Sequence, residues 1–220
     1  MKQLTCLDTP YFFHFHSTIT DGKLTIYDYF KFCKKNQIKT LIFSEHVRKN
    51  LNYDFDIFID EIKKTSDLFP EVDYIIGVEA KLLPGGECDV PKNILNKIDL
   101  IAFACHGFPN DPDLFYNSME NLFHHTDYQQ LYRVWAHPGR FYKKRNLLQH
   151  FQNEYHTLIK MASNLNIYIE RNIRDDLITY NDLKTIKQSS LIWGMDAHIN
   201  NDLSRWTTLR NEQNSVINSN

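Results

Sequence analysis

The 220-residue sequence predicts an α/β fold of short parallel strands joined by crossover helices. Two observations carry this reading. Seven short apolar runs recur along the chain, and helix-period stretches lie between them. Prolines 91, 109, 112 and 138 all fall at junctions between such segments. Seven strands of this kind make either an open doubly wound sheet or a closed barrel. The Gly-rich phosphate loop that would favour the open sheet is absent after the first run.

In chain order the runs are YFFHFH (11–16), TLIFS (40–44), VDYIIGVEA (72–80), DLIAFAC (99–105), LYRVWAH (131–137), NIYIER (166–171) and SLIWGMDA (190–197). Helices are expected at 24–36, 54–69, 111–125, 144–164 and 179–189. In the first, Leu24, Tyr27 and Phe30 are expected on the buried face, with Lys31 and Lys34 on the solvated one. With no linker, repeat or interior low-complexity run, residues 1–220 are expected to form one domain. The motif-bearing part spans about 11–200, and the polar, Asn-rich stretch 201–220 is expected to fray over its last ten or so residues.

Hydrophobic residues at 42% and aromatics at 14% suffice for a sizeable core and argue against disorder. A net charge of −2 gives no global reason to bind nucleic acid or an anionic membrane. No signal-peptide core and no run of about 18 apolar residues is present, so a soluble, cytoplasmic protein is expected. The four cysteines show no C-x-x-C spacing and read as free thiols, with Cys105 a small buried strand residue.

In parallel α/β folds functional side chains gather at the C-terminal ends of strands. The seven runs end in His14 and His16, His46, Glu79, His106, His137, Glu170, and Asp196 with His198. Each run end therefore carries a metal-competent side chain. A single histidine there is commonly a hydrogen-bonded loop residue. The H-x-H pair is stronger, because period two puts both imidazoles on one strand face, and D-A-H repeats that spacing. Glu79 lies in the apolar IIGVEAKLL, where an unpaired carboxylate would cost several kcal/mol. A salt bridge could offset that cost, but a metal ion would do so better. His124, His125, His150 and His156 read as surface residues.

H-F-H-S with Asp21-Gly22, S-E-H, G-V-E-A, C-H-G, A-H-P-G-R and G-M-D-A-H occur in that order. Together they resemble the PHP (polymerase and histidinol phosphatase) family over about residues 11–200. The resemblance implies a distorted (β/α)7 barrel of parallel strands with outer helices and a trinuclear metal cluster at its C-terminal mouth. One ion would take His14, His16, Glu79 and Asp196. A second would share Glu79 and add His106 and His137, and a third would be held by Asp21, His46 and His198. Three residues depart from the family pattern: Ser17 for threonine, Glu45 for aspartate before His46, and Met195 for serine.

The resemblance also implies a metal-dependent phosphoesterase in which a metal-activated hydroxide attacks a phosphate monoester. The expected substrate is a small phosphorylated metabolite such as histidinol phosphate, a nucleotide, or phosphotyrosine. Zinc, manganese or iron would suit the donors, with zinc or manganese ahead of iron. Arg140 is the leading candidate for a phosphate contact, followed by Arg48 and Arg171, with Glu170 placed behind the ligands. Specificity is expected in the loops 81–90 and 107–113. Phe108, Phe115 and Tyr116 are candidates for a pocket wall or a dimer contact, with core packing as the alternative. The competing functions are a nuclease acting on nucleic-acid ends, which the near-neutral charge disfavours, and a non-catalytic, metal-stabilised interaction module.

Overall fold

The structure, a computed structural model, describes residues 4–183 and 186–218. Its strands are β1 (Tyr11–Phe13), β2 (Thr40–Ile42), β3 (Glu45–Val47), β4 (Asp73–Ile75), β5 (Gly77–Lys81), β6 (Leu100–Ala104), β7 (Tyr132–Trp135), β8 (Tyr168–Asn172) and β9 (Leu191–Gly194). Around them lie helices α1 (Ile26–Lys35), α2 (Phe55–Ser66), α3 (Lys92–Leu95), α4 (Pro112–His124), α5 (Arg140–Lys143), α6 (Gln152–Asn164), α7 (Tyr180–Leu183), α8 (Asn200–Leu203) and α9 (Trp206–Asn218). Every ladder pairing is parallel, in the orders β1-β2-β4 and β3-β5-β6-β7-β8-β9.

Those nine strands are the seven runs of the sequence, two of them interrupted. The second run forms β2 and, past a break at Phe43 and Ser44, continues beyond its expected end into β3, while the third divides into β4 and β5 at Ile76. At the first break the Ser44 hydroxyl takes over from the ladder. Its Oγ accepts from Phe15 N and donates to Phe15 O, both at 2.9 Å. The seventh run also pairs with the first. Met195 N donates to Phe13 O at 3.0 Å, Ala197 N to His14 O at 3.0 Å, and His16 N to Ala197 O at 2.9 Å. Backbone pairing therefore passes round all seven runs and returns to the start, as a distorted barrel requires.

Helix starts follow their local chemistry. Thr25 and Asp28 form a capping box on α1, Asp54 caps α2, and Asp111 caps α4 with Pro112 in its first turn. Because Thr25 caps α1, Leu24 falls outside the helix. The buried face is then Ile26, Tyr29, Phe30 and Cys33, as expected for Phe30, whereas Tyr27 is exposed and corrects the expected face. The helix expected at 144–164 is shorter: α5 ends before it at Lys143, Asn146 turns left-handed (φ 55°), and within that span the chain is helical only from Gln152, as α6. Of the stretch 179–189, only α7 and a 3₁₀ turn at Gln188–Ser190 are helical among the described residues.

As far as Asn218 the polar C-terminal stretch does not fray as expected, and residues 219–220 lie outside the described residues. The stretch forms α9, which buries Trp206, Leu209 and Gln213 and sets the Trp206 ring 5.7 Å from that of Phe12. A few apolar side chains at helical spacing suffice, because most of the helix surface can stay polar. Phe108 and Phe115 are core residues too, with Phe115 stacked on Phe141 at 4.0 Å between ring centroids. This corrects the pocket-wall reading for both. Cys33, Cys88 and Cys105 are free thiols; the Cys6 side chain lies outside what is described. No helix among the described residues is long and apolar enough to cross a membrane.

The Ser44 bridge yields a stability prediction. Ser44→Ala leaves a buried N–H and a buried carbonyl of Phe15 without partners, costing about 2–3 kcal/mol. Thermal unfolding should show a midpoint lowered by about 5–10 °C.

Candidate metal centre

Glu79 sits in the middle of β5, essentially without solvent exposure, and histidines surround it. Its Oε1 lies 3.1 Å from His106 Nε2, 3.3 Å from His137 Nε2 and 3.6 Å from His14 Nε2. Its Oε2 lies 2.9 Å from His46 Nδ1 and 3.6 Å from His16 Nε2. Across from it, Asp196 Oδ1 is 3.7 Å from both His14 Nε2 and His16 Nε2, and Oδ2 is 3.6 Å from His137 Nε2. On the open side Asp21 Oδ2 faces His46 Nε2 at 3.5 Å and His198 Nε2 at 3.6 Å. All nine residues expected as ligands thus meet at one end of the barrel.

Their donor atoms form four overlapping sets close enough to hold an ion: His16, Asp21, His46 and His198; His14, His16 and Glu79; His14, His137 and Asp196; and Glu79, His106 and His137. These sets overlap the expected partition without reproducing it, since His16 also reaches the Asp21 group. A hydrogen-bonded polar core is the alternative to metal, and it would leave few buried donors and acceptors without partners. Among the described residues, nine buried side-chain nitrogen and oxygen atoms lack a hydrogen-bond partner. Seven are in this cluster: His14 Nε2, both nitrogens of His16 and of His137, and His46 Nδ1 and Glu79 Oε2, which face each other at 2.9 Å out of hydrogen-bonding alignment. Unsatisfied buried groups cost about 1–3 kcal/mol each, so seven together would rival the stability of a domain. The inward nitrogens of these rings, one per imidazole, and the Glu79 oxygen meet in the donor sets above and fit divalent cations.

Protonation agrees with that fit at two rings and departs from it at two: burial would lower His14 and His46, but Glu170 and Asp196 raise the first well above the ordinary imidazole value and Glu79 raises the second. Burial, followed by the charge of His46, holds His16 well below the ordinary imidazole value. Burial likewise holds His137 well below it, even against the carboxylate of Glu79. Both rings are therefore neutral and able to donate. Burial alone would raise the Glu79 carboxyl, but His137, His106, His14 and His46 together hold it well below its usual range. Burial would also raise Asp196, and His14, His137 and Arg140 reverse that.

The way the chain delivers these groups differs from the straight-strand picture. β1 ends at Phe13, and His14 adopts a left-handed conformation (φ 63°), as do His137 (φ 44°) and Asp196 (φ 49°). The His14 and His16 rings still lie 5.5 Å apart, but a kink brings them together, not the pleat. Non-glycine residues in this region cost of order 1–3 kcal/mol each, and such strain concentrates at functional sites.

A further layer orients the donors. Glu170, fully buried on β8, accepts from His14 Nδ1 at 2.5 Å, from His137 N at 2.6 Å and from Asn172 Nδ2 at 3.2 Å. It fixes the tautomer that turns His14 Nε2 inward. Gly194 makes room for it, since a Cβ there would lie 1.8 Å from Glu170 Oε1. Glu45 accepts from Ser17 N and Thr20 Oγ1, both at 2.5 Å, and so secures the turn that carries Asp21. Burial raises the Glu45 carboxyl, and the bonds from Ser17 and Thr20 oppose the rise.

Above the cluster opens a cleft of about 460 Å³ lined by Asp21, His46, Arg48, His106, Arg140, Lys144, Arg174, Asp175, Asp196 and His198. Arg140 is in place there, its Nη2 donating to Asp196 Oδ2 at 2.7 Å and its Nε to Asp175 Oδ2. Arg48 lines the opposite wall. Arg171 is not in the cleft. It follows Glu170 on β8 and so faces outward, paired with Asp176 at 2.8 Å and Glu212 at 3.1 Å. The cationic residue that does reach the cleft is Arg174, whose Nη1 is 2.7 Å from His198 Nδ1. Sequence reading missed Arg174, Asp175 and Lys144. The available signal was position, because all three lie beyond an element's end. Loops 81–90 and 107–113 do not line the cleft either. Gly86 packs against α4, and Asp89 accepts from Lys49 N at 2.9 Å.

The fold and these donors define a parallel α/β barrel with a histidine- and carboxylate-rich cluster at its strand ends. The chain belongs to the PHP family: the PHP domain model matches residues 13–215. It is 26% identical over 199 residues to the DNA polymerase/3'-5' exonuclease PolX of Bacillus subtilis (strain 168), which covers 84% of this chain but 33% of that relative. The chain thus spans about a third of that relative's length. In fold it resembles the histidinol phosphate phosphatase of Lactococcus lactis in complex with zinc, L-histidinol and phosphate. That likeness has a TM-score of 0.63 at 14% identity and covers 93% of this chain and 94% of the other.

The Gly194 contact gives a second prediction. Gly194→Ala displaces Glu170 and frees the His14 ring, so divalent-metal affinity should fall about 10–100-fold. Competition with a chelating dye measures the loss, while far-UV circular dichroism should stay native-like.

Proposed function

We propose that the protein is a metal-dependent phosphoesterase that hydrolyses a phosphate monoester of a small metabolite. The observation that carries this reading is the set of seven unpartnered buried donor atoms beneath an open cleft with arginines on its walls. His14, His16, Glu79 and Asp196 would hold one divalent ion, Glu79, His106 and His137 a second, and Asp21, His46 and His198 a third. Nitrogen and oxygen donors of this mixture suit zinc or manganese. Bound there, the ions would supply an activated water and neutralise developing charge on the phosphoryl oxygens. The Lactococcus neighbour, with zinc, phosphate and an amino-alcohol bound, supports the same assignment by analogy of fold.

The chain's own residues do the rest. Arg140, clamped between Asp196 and Asp175, presents a fixed guanidinium edge to a phosphoryl group, and Arg174 and Lys144 extend that cationic wall. Burial would lower the Arg140 value, and the charges of Asp196 and Asp175 raise it, so the residue remains a cation. Glu170 keeps His14 Nδ1 protonated and its Nε2 available. A cleft of about 460 Å³ suits a small ester. The likeness to PolX favours one alternative, hydrolysis at a nucleic-acid end.

Protein loaded with zinc or manganese should release phosphate from at least one class of sugar, amino-alcohol, nucleotide or tyrosine monoester. His14→Ala should lower kcat/KM about a hundredfold or more. Turnover of a phosphodiester with none of any monoester would replace this reading with the nuclease. Silence on all substrates in metal-loaded protein would refute both.

A further inference from the structure

Beside the main cleft lies a second lobe of about 420 Å³, lined by Thr20, Asp21, His46, Arg48, Asn50, Leu51 and Asn52. The two share Asp21, His46 and Arg48 as a common wall. A group bonded to a phosphoryl held over the donors can therefore extend into this lobe, which makes it the natural seat of the leaving alcohol. Apart from Asp21 and His46, which belong to the donor cluster, Arg48 is the lobe's only ionised side chain. It differs from the arginines opposite. Arg140 and Arg174 are tied to Asp196, whereas Arg48 has no carboxylate within salt-bridge distance among the described residues. Its Nη1 donates to Val47 O at 2.6 Å, which anchors one edge of the guanidinium and leaves the remaining donors to the lobe.

The turn that carries it is held at both ends. Tyr53 Oη donates to His46 O at 3.0 Å, and Asp89 Oδ1 accepts from Lys49 N at 2.9 Å. Asn50 and Asn52 add neutral donors and acceptors, and Leu51 adds an apolar patch. A preorganised, unpaired guanidinium flanked by amides fits an anion that also carries hydroxyl groups. It repels an ammonium.

Resting on the phosphomonoesterase reading above, we propose that Arg48 is a specificity-determining residue. It selects monoesters whose leaving alcohol carries a second anionic group, a carboxylate or another phosphate, over those with a neutral or cationic alcohol.

The test pairs esters that differ in that group. 3-Phosphoglycerate is set against glycerol 3-phosphate and L-histidinol phosphate, and a hexose 1,6-bisphosphate against the hexose 6-phosphate. Wild-type metal-loaded protein should prefer the anionic member of each pair. In Arg48→Gln that preference should shrink about 10–100-fold, as expected for loss of a charge-assisted hydrogen bond. A preference for carboxylate alone, or for phosphate alone, identifies the source of the anion. Calorimetry supplies a readout independent of turnover: Arg48→Gln should weaken 3-phosphoglycerate binding at least about tenfold more than it weakens inorganic phosphate. Binding that depends on Arg48 without turnover would sink the phosphatase reading and leave this assignment standing. An unchanged ratio in the variant, equal weakening of phosphate and ester, or a wild-type preference for L-histidinol phosphate would overturn it.

Discussion

A single carboxylate at the centre of the barrel sets the terms for everything around it. Glu79 is as buried as the apolar residues on either side of it in β5, and its two oxygens face five imidazoles. An isolated charge in such a place would be driven to neutralise. This one instead lies well below its usual pKa range, because histidine replaces solvent on every side. Once that anion is in place, the strand ends must deliver nitrogen donors to it. The cost of leaving those donors unsatisfied makes a cation the economical solution.

The barrel meets that demand with local strain and with a seam. His14, His137 and Asp196 leave the extended region where their strands end, each turning a side chain inward that straight pleating would have aimed elsewhere. Two of the three lie at the junction where the last run pairs with the first. There His14 O and His16 N bond to Ala197, and Met195 N bonds to Phe13 O. The hydrogen bonds that close the barrel thus belong to the ligands and their immediate neighbours. Closure of the fold and assembly of the cluster are one structural event.

Much of this could be read in the sequence, and the reasons it stopped where it did are physical. Apolar runs and the polar groups at their ends are local signals, and a parallel α/β fold converts them directly into a ring of side chains. Glu79 was conspicuous because a charge in IIGVEAKLL has no cheap place to go. The supporting carboxylates were less legible. Glu170 could be placed behind the ligands, but its contact with His14 depends on Gly194, 24 positions further along and silent by itself. The expected face of α1 held at Phe30 but failed at Leu24 and Tyr27, because Thr25 sets where the helix starts and pattern alone does not resolve a cap. The polar C-terminal stretch concealed α9, whose buried side chains among the described residues are Trp206, Leu209 and Gln213.

The arginines show the limit most clearly. Arg171 and Arg174 are three residues apart in one short segment, and charge alone cannot rank them. Period-two alternation does, because Glu170 points into the barrel and its neighbour on the same strand must point out. Arg171 is accordingly used up by Asp176 and Glu212, while Arg174, beyond the end of β8, bends over the cleft toward His198. The same reasoning separates the two walls of the cleft. Arg140 and Arg174 lie where Asp196 can hold them, so their charge is partly spent on orienting a proposed ligand. Arg48 stands across from them on a turn, with no carboxylate within salt-bridge distance among the described residues. Its position, more than its presence in the sequence, marks it as the residue that would read the far end of a substrate.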